Sequence, residues 1–204
     1  MKEIPDPYML AVLLGDAVLV LLLYERLLAA LQGGVDCVKG QFRTREYLSS
    51  NYVSASARLL FFLLQPFVAV TLQVCGVSRL GFFPTLGLLL LLAIFRLLVC
   101  RGLDAWTKRS LFSQTERICE ALWVLGCLTA LPVLLLGWLA PGVPQPVLRV
   151  MLSLVVLFFT FIYVQRGRQI FLTSRFSIFY WVLYLCGLEF LPISAAVNFL
   201  MHGN

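Results

Sequence analysis

The sequence is poor in the residues from which most catalytic sites are built. It has one histidine, His202, and charged residues make up only 13% of its 204 positions. Haem, zinc and non-haem iron sites draw on imidazole, usually several, so histidine-based metal chemistry has almost nothing to work with. Six cysteines are present, Cys37, Cys75, Cys100, Cys119, Cys127 and Cys186, but no two stand as C-x-x-C. Zinc and iron–sulfur sites cluster their thiols at short spacing, so these scattered thiols read as small apolar residues on helices. No G-x-x-x-x-G-K-S/T, G-x-G-x-x-G, H-E-x-x-H or G-x-S-x-G occurs. That removes the nucleotide, zincin and hydrolase signatures. The expectation is a chain that is not an enzyme and binds no cofactor or metal.

What the chain has in excess is apolar surface. It is 61% hydrophobic and 13% aromatic, with mean hydropathy +0.93. A soluble domain runs at about 45–50% apolar and about 25% charged. Disordered chains are poor in aromatics and rich in charge, the reverse of this composition. An all-α, polytopic membrane protein remains, a single transmembrane domain over the whole chain.

A span needs roughly 17–25 apolar residues. Six stretches qualify, near 8–28, 59–77, 81–100, 118–140, 147–164 and 178–201. The first is too long for a signal-peptide core, carries Asp16 and has no small-residue cleavage site after it, so it reads as a membrane helix. Basic loops follow at 29–58, 101–117 and 165–177. Thirteen of the sixteen Lys and Arg residues fall in these loops and their margins, including Arg26, Lys39, Arg43, Arg45, Arg58, Arg96, Arg101, Arg117 and Arg166. The opposite side holds Lys2, Arg79 and Arg149. The positive-inside rule then puts the three loops in the cytoplasm and both termini outside. Sorted this way, the net charge of +6 answers to the membrane and not to nucleic acid.

The outer connections are short. Val77-Ser78-Arg79-Leu80 joins spans two and three. Pro141-Gly142-Val143-Pro144-Gln145-Pro146 joins four and five, and its three prolines cannot continue a helix. On the cytoplasmic side, 32–57 mixes Lys39, Arg43 and Arg45 with Phe42, Tyr47 and Tyr52. It reads as a positive-inside loop with interfacial aromatics, or as a surface-lying amphipathic helix meeting anionic headgroups. This segment and the polar stretch 104–116 are where a membrane-protein partner would dock.

Two acids, Asp16 and Glu189, lie within a few ångströms of the bilayer midplane at about 1.5 Å per residue. A charged Asp at a helix centre costs about 2.5–3.5 kcal/mol on insertion scales, so each needs a partner or a task. One reading makes them carriers of a proton or cation relay. The other makes them glue between helices, at about 0.6–2 kcal/mol per contact. Pro192, three residues after Glu189, removes an N–H and leaves a carbonyl unpaired, bending the helix beside the acid. At α-helical spacing Cys186, Glu189, Ile193 and Ala196 share a face, which turns the acid toward the bundle. Pro66 and Pro132 similarly free the carbonyls of Phe62 and Leu128. Arg96 and Glu120, near the inner ends of spans three and four, are expected as a structural ion pair. Ala11-x-x-x-Gly15 and Gly126-x-x-x-Ala130 are small-x-x-x-small pairs that permit close helix contact.

The stretch Phe-Tyr-Trp-Val-Leu-Tyr-Leu-Cys-Gly-Leu-Glu-Phe-Leu-Pro, residues 179–192, resembles the C-terminal signature of an uncharacterised membrane family of Bacteroidetes-type bacteria. That family's pattern is Phe-x-x-x-Leu-Tyr-Leu-Cys-x-Leu-Glu-Ile-Leu-Pro, with Phe190 standing here for its isoleucine. The segment from Gly126 to Pro132, followed by Val133-Leu134-Leu135, is similar to its Gly-x-x-x-Leu-x-Pro-x-Leu-Leu. The resemblance implies a bacterial inner-membrane location, marks Tyr184, Cys186, Glu189 and Pro192 as pattern positions, and brings no activity. Two function classes follow. One is a non-catalytic subunit or scaffold of a membrane complex. The alternative is a small transporter or proton-conducting component using Glu189 and Asp16.

Overall fold

The structure, a computed structural model, describes residues 7–39, 51–78, 80–107, 111–140, 142–173, 178–192, 194, 195 and 198. All the elements among them are helical: α1 Pro7–Leu22, α2 Tyr24–Lys39, α3 Asn51–Leu63, α4 Gln65–Val74, α5 Phe82–Thr107, α6 Leu111–Leu139, α7 Gln145–Thr173 and α8 Ile178–Tyr184, with a π-helical turn at Leu185–Phe190. Three stretches are long and apolar enough to cross a membrane: Phe82–Thr107, Phe112–Gly137 and Gln145–Leu172. A fourth is broken, with Tyr52–Leu63 and Gln65–Val74 meeting at 41°.

That bend has a local cause. Pro66 cannot donate, and its ring crowds the preceding turn. The chain turns at Leu64, and the buried Gln65 donates from Nε2 to the Phe61 carbonyl at 3.0 Å. On either side the ladder resumes, Leu64 N to Leu60 O and Val68 N to Leu64 O.

Of the six expected spans, the third, fourth and fifth correspond to these three helices and the second to the bent pair, so the described residues give up to four. The first expected span is instead divided. Apolar α1 ends at Leu22, and the chain continues through Leu23 into α2, where Glu25 and Arg26 stand. Of the sixth, the described residues give α8, the π-turn and a few positions beyond. The helices also overrun their apolar windows. α5 extends to Thr107 and α6 begins at Leu111, so the expected 101–117 loop is mostly helix. Asp104 explains how. From the end of α5 its carboxylate accepts the backbone N–H of Phe112 at 2.9 Å and of Ser113 at 2.8 Å, and the Ser113 hydroxyl. It satisfies orphan donors at the start of α6 and sits at the positive end of its dipole.

Helix α6 is the hub. It packs against α2, α3, α4, α5 and α7, while α1 lies on α4, α2 and α3, and α8 on α7. Half of the apolar window of α6 is buried, whereas α5 and α7 turn most of theirs outward, exposing Leu91, Leu98, Leu154 and Leu157. The segment 32–57 is not a surface-lying helix where it is described. Ala30, Gly33, Gly34 and Cys37 of α2 are buried, and Gly34 lies so near the Ala121 carbonyl that an added Cβ would stand 3.1 Å from it. The close crossings therefore fall elsewhere than at the two expected small-residue pairs. Gly15 has nothing within 4 Å and Gly126 meets only the Phe159 ring at ordinary contact distance.

Two arginines mark opposite ends of α7. At its N-terminal end Arg149 donates from Nε to the Cys75 carbonyl and from Nη2 to the Gly76 carbonyl, both at 2.9 Å. That closes the C-terminus of α4, where Gly76 takes φ +66. At its C-terminal end Arg166 donates to the carbonyls of Cys37 at 2.8 Å and Val38 at 2.9 Å, closing α2. The termini of the helices thus gather at two ends. One, with the end of α2, the start of α3 and the α5–α6 connection, carries most of the described basic residues.

Candidate functional site

Toward that basic end, four charged side chains converge on the hub. Glu116 and Glu120 lie four residues apart on α6, hence on one face, and are 4% and 3% exposed. Arg58 reaches across from α3, with Nε on Glu120 Oε1 at 2.7 Å and Nη2 on Glu116 Oε2 at 3.5 Å. Arg96 enters from α5, donating from Nη1 to Cys119 Sγ and from Nη2 to Tyr163 Oη at 3.1 Å, with its guanidinium 5.5 Å from the centre of the Tyr163 ring. The chain of polar groups runs on through the hydroxyls of Tyr163 and Tyr184, 3.4 Å apart, to Cys100 Sγ, 3.7 Å from Tyr184 Oη.

A cavity of about 10 Å³ lies between these groups, lined by Arg96, Glu116, Cys119 and Glu120 with Phe61 and Phe62. That is room for about one water. Glu120 Oε2 is buried and has no hydrogen-bond partner among the described residues, and one water would satisfy it. Two carboxylates and two guanidinium groups balance in charge around this cavity. Such an arrangement clamps α3, α5, α6 and α7 to one another. It provides no room for a substrate.

Around this clamp sits an aromatic wall. Tyr163, Phe171, Trp181 and Tyr184 lie together with Phe112, Trp181 stacking on Tyr184 with ring centres 5.5 Å apart. Trp181 reaches the surface of α7 because position 167 is glycine; a Cβ there would overlap the indole.

The expected site residues separate into those that meet and those that do not. Arg96, Glu120 and Tyr184 belong to one network. The ion pair on Glu120, however, is made by Arg58, and Arg96 lines the same cavity while donating to Cys119 and Tyr163. Asp16 is far along α1, half-buried and within electrostatic reach of Cys127 on α6. Cys186 is exposed while Trp181, Tyr184 and Leu185 are buried. The inward face is therefore the aromatic one, not the face read from Cys186. Trp181, Tyr184 and Leu185 share one face at ordinary α-helical spacing, and Cys186 falls off it; a π-turn follows, in which Leu191 N–H bonds back to the Cys186 carbonyl. The side chain of Glu189, and Ile193, Ala196, Arg43 and Arg45, lie outside the described residues, and Lys39 is exposed at the end of α2.

Arg58 and Glu116 are the members that reading the sequence misses. Both stand in stretches taken as loop, where basic residues count only toward sidedness. The available signal was the i, i+4 spacing of Glu116 and Glu120 at the edge of an apolar run.

Outside the spanning helices, burial pushes the Cys37 thiol up to about 12, against the opposing effect of Arg166. Among the described residues no group of three or more His, Cys, Asp or Glu side chains could hold a metal ion. Compared with protein-family models, with curated proteins and with solved structures, the chain matches none.

Proposed function

We propose that this chain is a non-catalytic subunit or scaffold of a membrane complex. The observation that carries the reading is the buried clamp: Arg58 bridges Glu116 and Glu120 beside a cavity of about one water. Ionisable groups within a membrane are costly and usually mark a pathway or a pairing. Here they are paired, across the two helices α3 and α6. The apolar faces of α5 and α7 are left for lipid or for the helices of a partner. We place the protein in a bacterial inner membrane with six spans, its basic end in the cytoplasm and both termini outside. The segregation of basic residues supports this, and so does the family resemblance of 179–192. A reporter fused after Asn204 should then be active only when periplasmic, and cytoplasmic activity would contradict the orientation.

Mild cross-linking in the native membrane followed by affinity purification tests the function. A stoichiometric membrane partner is expected; a chain that comes out alone contradicts the subunit reading. One observation favours a second reading, a small proton-coupled transporter. Glu189 lies in a π-turn, a distortion common at functional sites. If Glu189 and Asp16 carry protons, Glu189→Gln should abolish pH-driven flux in proteoliposomes while leaving abundance unchanged. If Glu189 is glue, Gln should be tolerated and Leu should destabilise.

A further inference from the structure

Helix α1 carries a carboxyl group that the described bundle does not pair. Asp16 acts electrostatically on Cys127 of α6, and Cys127 stands within about 4 Å of the middle of the apolar stretch Phe112–Gly137 at 1.5 Å per residue. The fold therefore holds Asp16 near mid-membrane depth. It is half-buried and makes no hydrogen bond or ion pair with the other described residues. No cation among them acts on it either, whereas Glu116 and Glu120 both meet Arg58. A charged acid at such a depth costs about 2.5–3.5 kcal/mol on insertion scales, and intramembrane ionisable groups are as a rule paired.

The same helix keeps a face open beside this acid. Val12, Leu13 and Val20 pack inward. On the other side Ala11, Gly15, Val18 and Leu22 follow one another at helical spacing, and all four are exposed. Gly15 has nothing within 4 Å of where a Cβ would stand. Ala11-x-x-x-Gly15, a pair of the kind that lets two membrane helices approach closely, is thus unused by the described helices. Asp16 follows Gly15 in sequence, and no side chain at position 15 bars the way to it.

We propose that this face of α1 receives a transmembrane helix of the partner, one that carries a Lys or Arg at mid-membrane depth and pairs it with Asp16. The inference rests on the subunit reading and names the partner's chemistry. Charge complementarity decides between occupants. Lipid tails cover Gly15 but bring Asp16 neither a donor nor a charge. A second copy of this chain on the same face would set Asp16 against Asp16, like charges in a medium that screens them little. A basic side chain turns the one unpaired carboxylate into an ion pair, as Arg58 does for the two glutamates of α6.

Two synthetic transmembrane peptides of about 21 Leu and Ala residues test the pairing against the full-length protein in proteoliposomes. One has a central Arg and the other Leu in its place, and each carries a photoreactive leucine one turn away. The Arg peptide should be captured about tenfold better, the effect of one charge-assisted hydrogen bond, with its cross-link on α1 around Gly15. Asp16→Asn should remove most of this preference and Asp16→Glu should keep it. Glu25→Gln, the same charge loss at an exposed site on α2, should leave it unchanged. Gly15→Leu fills open space and should weaken capture of the Arg peptide with Asp16 still in place. Equal capture of the two peptides, a preference that survives Asp16→Asn, or a cross-link on another helix would each overturn the proposal. With a stoichiometric partner still co-purifying from the native membrane, these results overturn this surface alone; a chain that comes out alone overturns the subunit reading and this inference with it.

Discussion

Glu120, 3% exposed, is held by a single arginine that reaches it from another helix, and the neighbouring contacts are equally specific. Gly167 is one of them. The Trp181 indole, 3% exposed and fixed against Phe171 and Tyr184, occupies the space a side chain would need. Gly167→Ala should therefore cost about 1–3 kcal/mol of unfolding free energy in micelles; an unchanged value would mean that the indole can move aside. Cys37 is another. With its thiol pushed up to about 12 by burial, it stays protonated throughout the neutral range, and thiolate is the reactive form. Maleimide at pH 8 should leave the Cys37 peptide unmodified until the protein is unfolded, and rapid native labelling would contradict its burial. The scattered spacing of the cysteines read as small apolar residues on helices; Cys37, Cys75, Cys100 and Cys127 are buried, Cys119 is half-buried and Cys186 is exposed. Which arginine meets which glutamate was not readable, because a pairing between positions 58 and 120 is set by helix packing and leaves no local pattern.

The elements of this protein are longer than its hydrophobic runs. Hydropathy finds the part of a helix that lies in lipid. It does not find where the helix ends, because polar residues continue a helix whenever its terminal groups find partners. Asp104 and Arg166 are such partners, and they convert most of two expected loops into helix. Removing the first should show its worth: Asp104→Ala is expected to lose about 1–2 kcal/mol, with Asp104→Asn losing less. Equal losses would mean that charge, not hydrogen bonding, does the capping. Prolines were more legible. Pro66 gave the position of a bend, since a residue without an N–H removes a rung of the ladder, whereas Pro132, which removes one too, lies inside α6 without ending it. Cys186 was read as facing the bundle and is exposed, and nothing in the sequence 185–190 announces the π-turn that follows Tyr184.

At the scale of the molecule, the helices gather around α6, with the charges at one end of it and apolar side chains outward on α5 and α7. That the chain is helical and carries apolar membrane-length elements followed from composition alone. That its polar centre is a closed clamp did not, because helix order around a bundle is invisible in a single sequence. The clamp is the central claim, and a double-mutant cycle tests it most directly. Arg58→Gln strands two buried carboxylates, and breaking a buried pair from one side costs about 3–5 kcal/mol, lessened here by the partial exposure of Arg58. Glu120→Gln removes one of those carboxylates. If the clamp holds the bundle, the double variant Arg58→Gln/Glu120→Gln should lose less than the sum of the two singles, by at least about 1 kcal/mol in reversible unfolding. Additivity within about 0.5 kcal/mol would show that the two residues do not act together, and the clamp would not be what joins these helices.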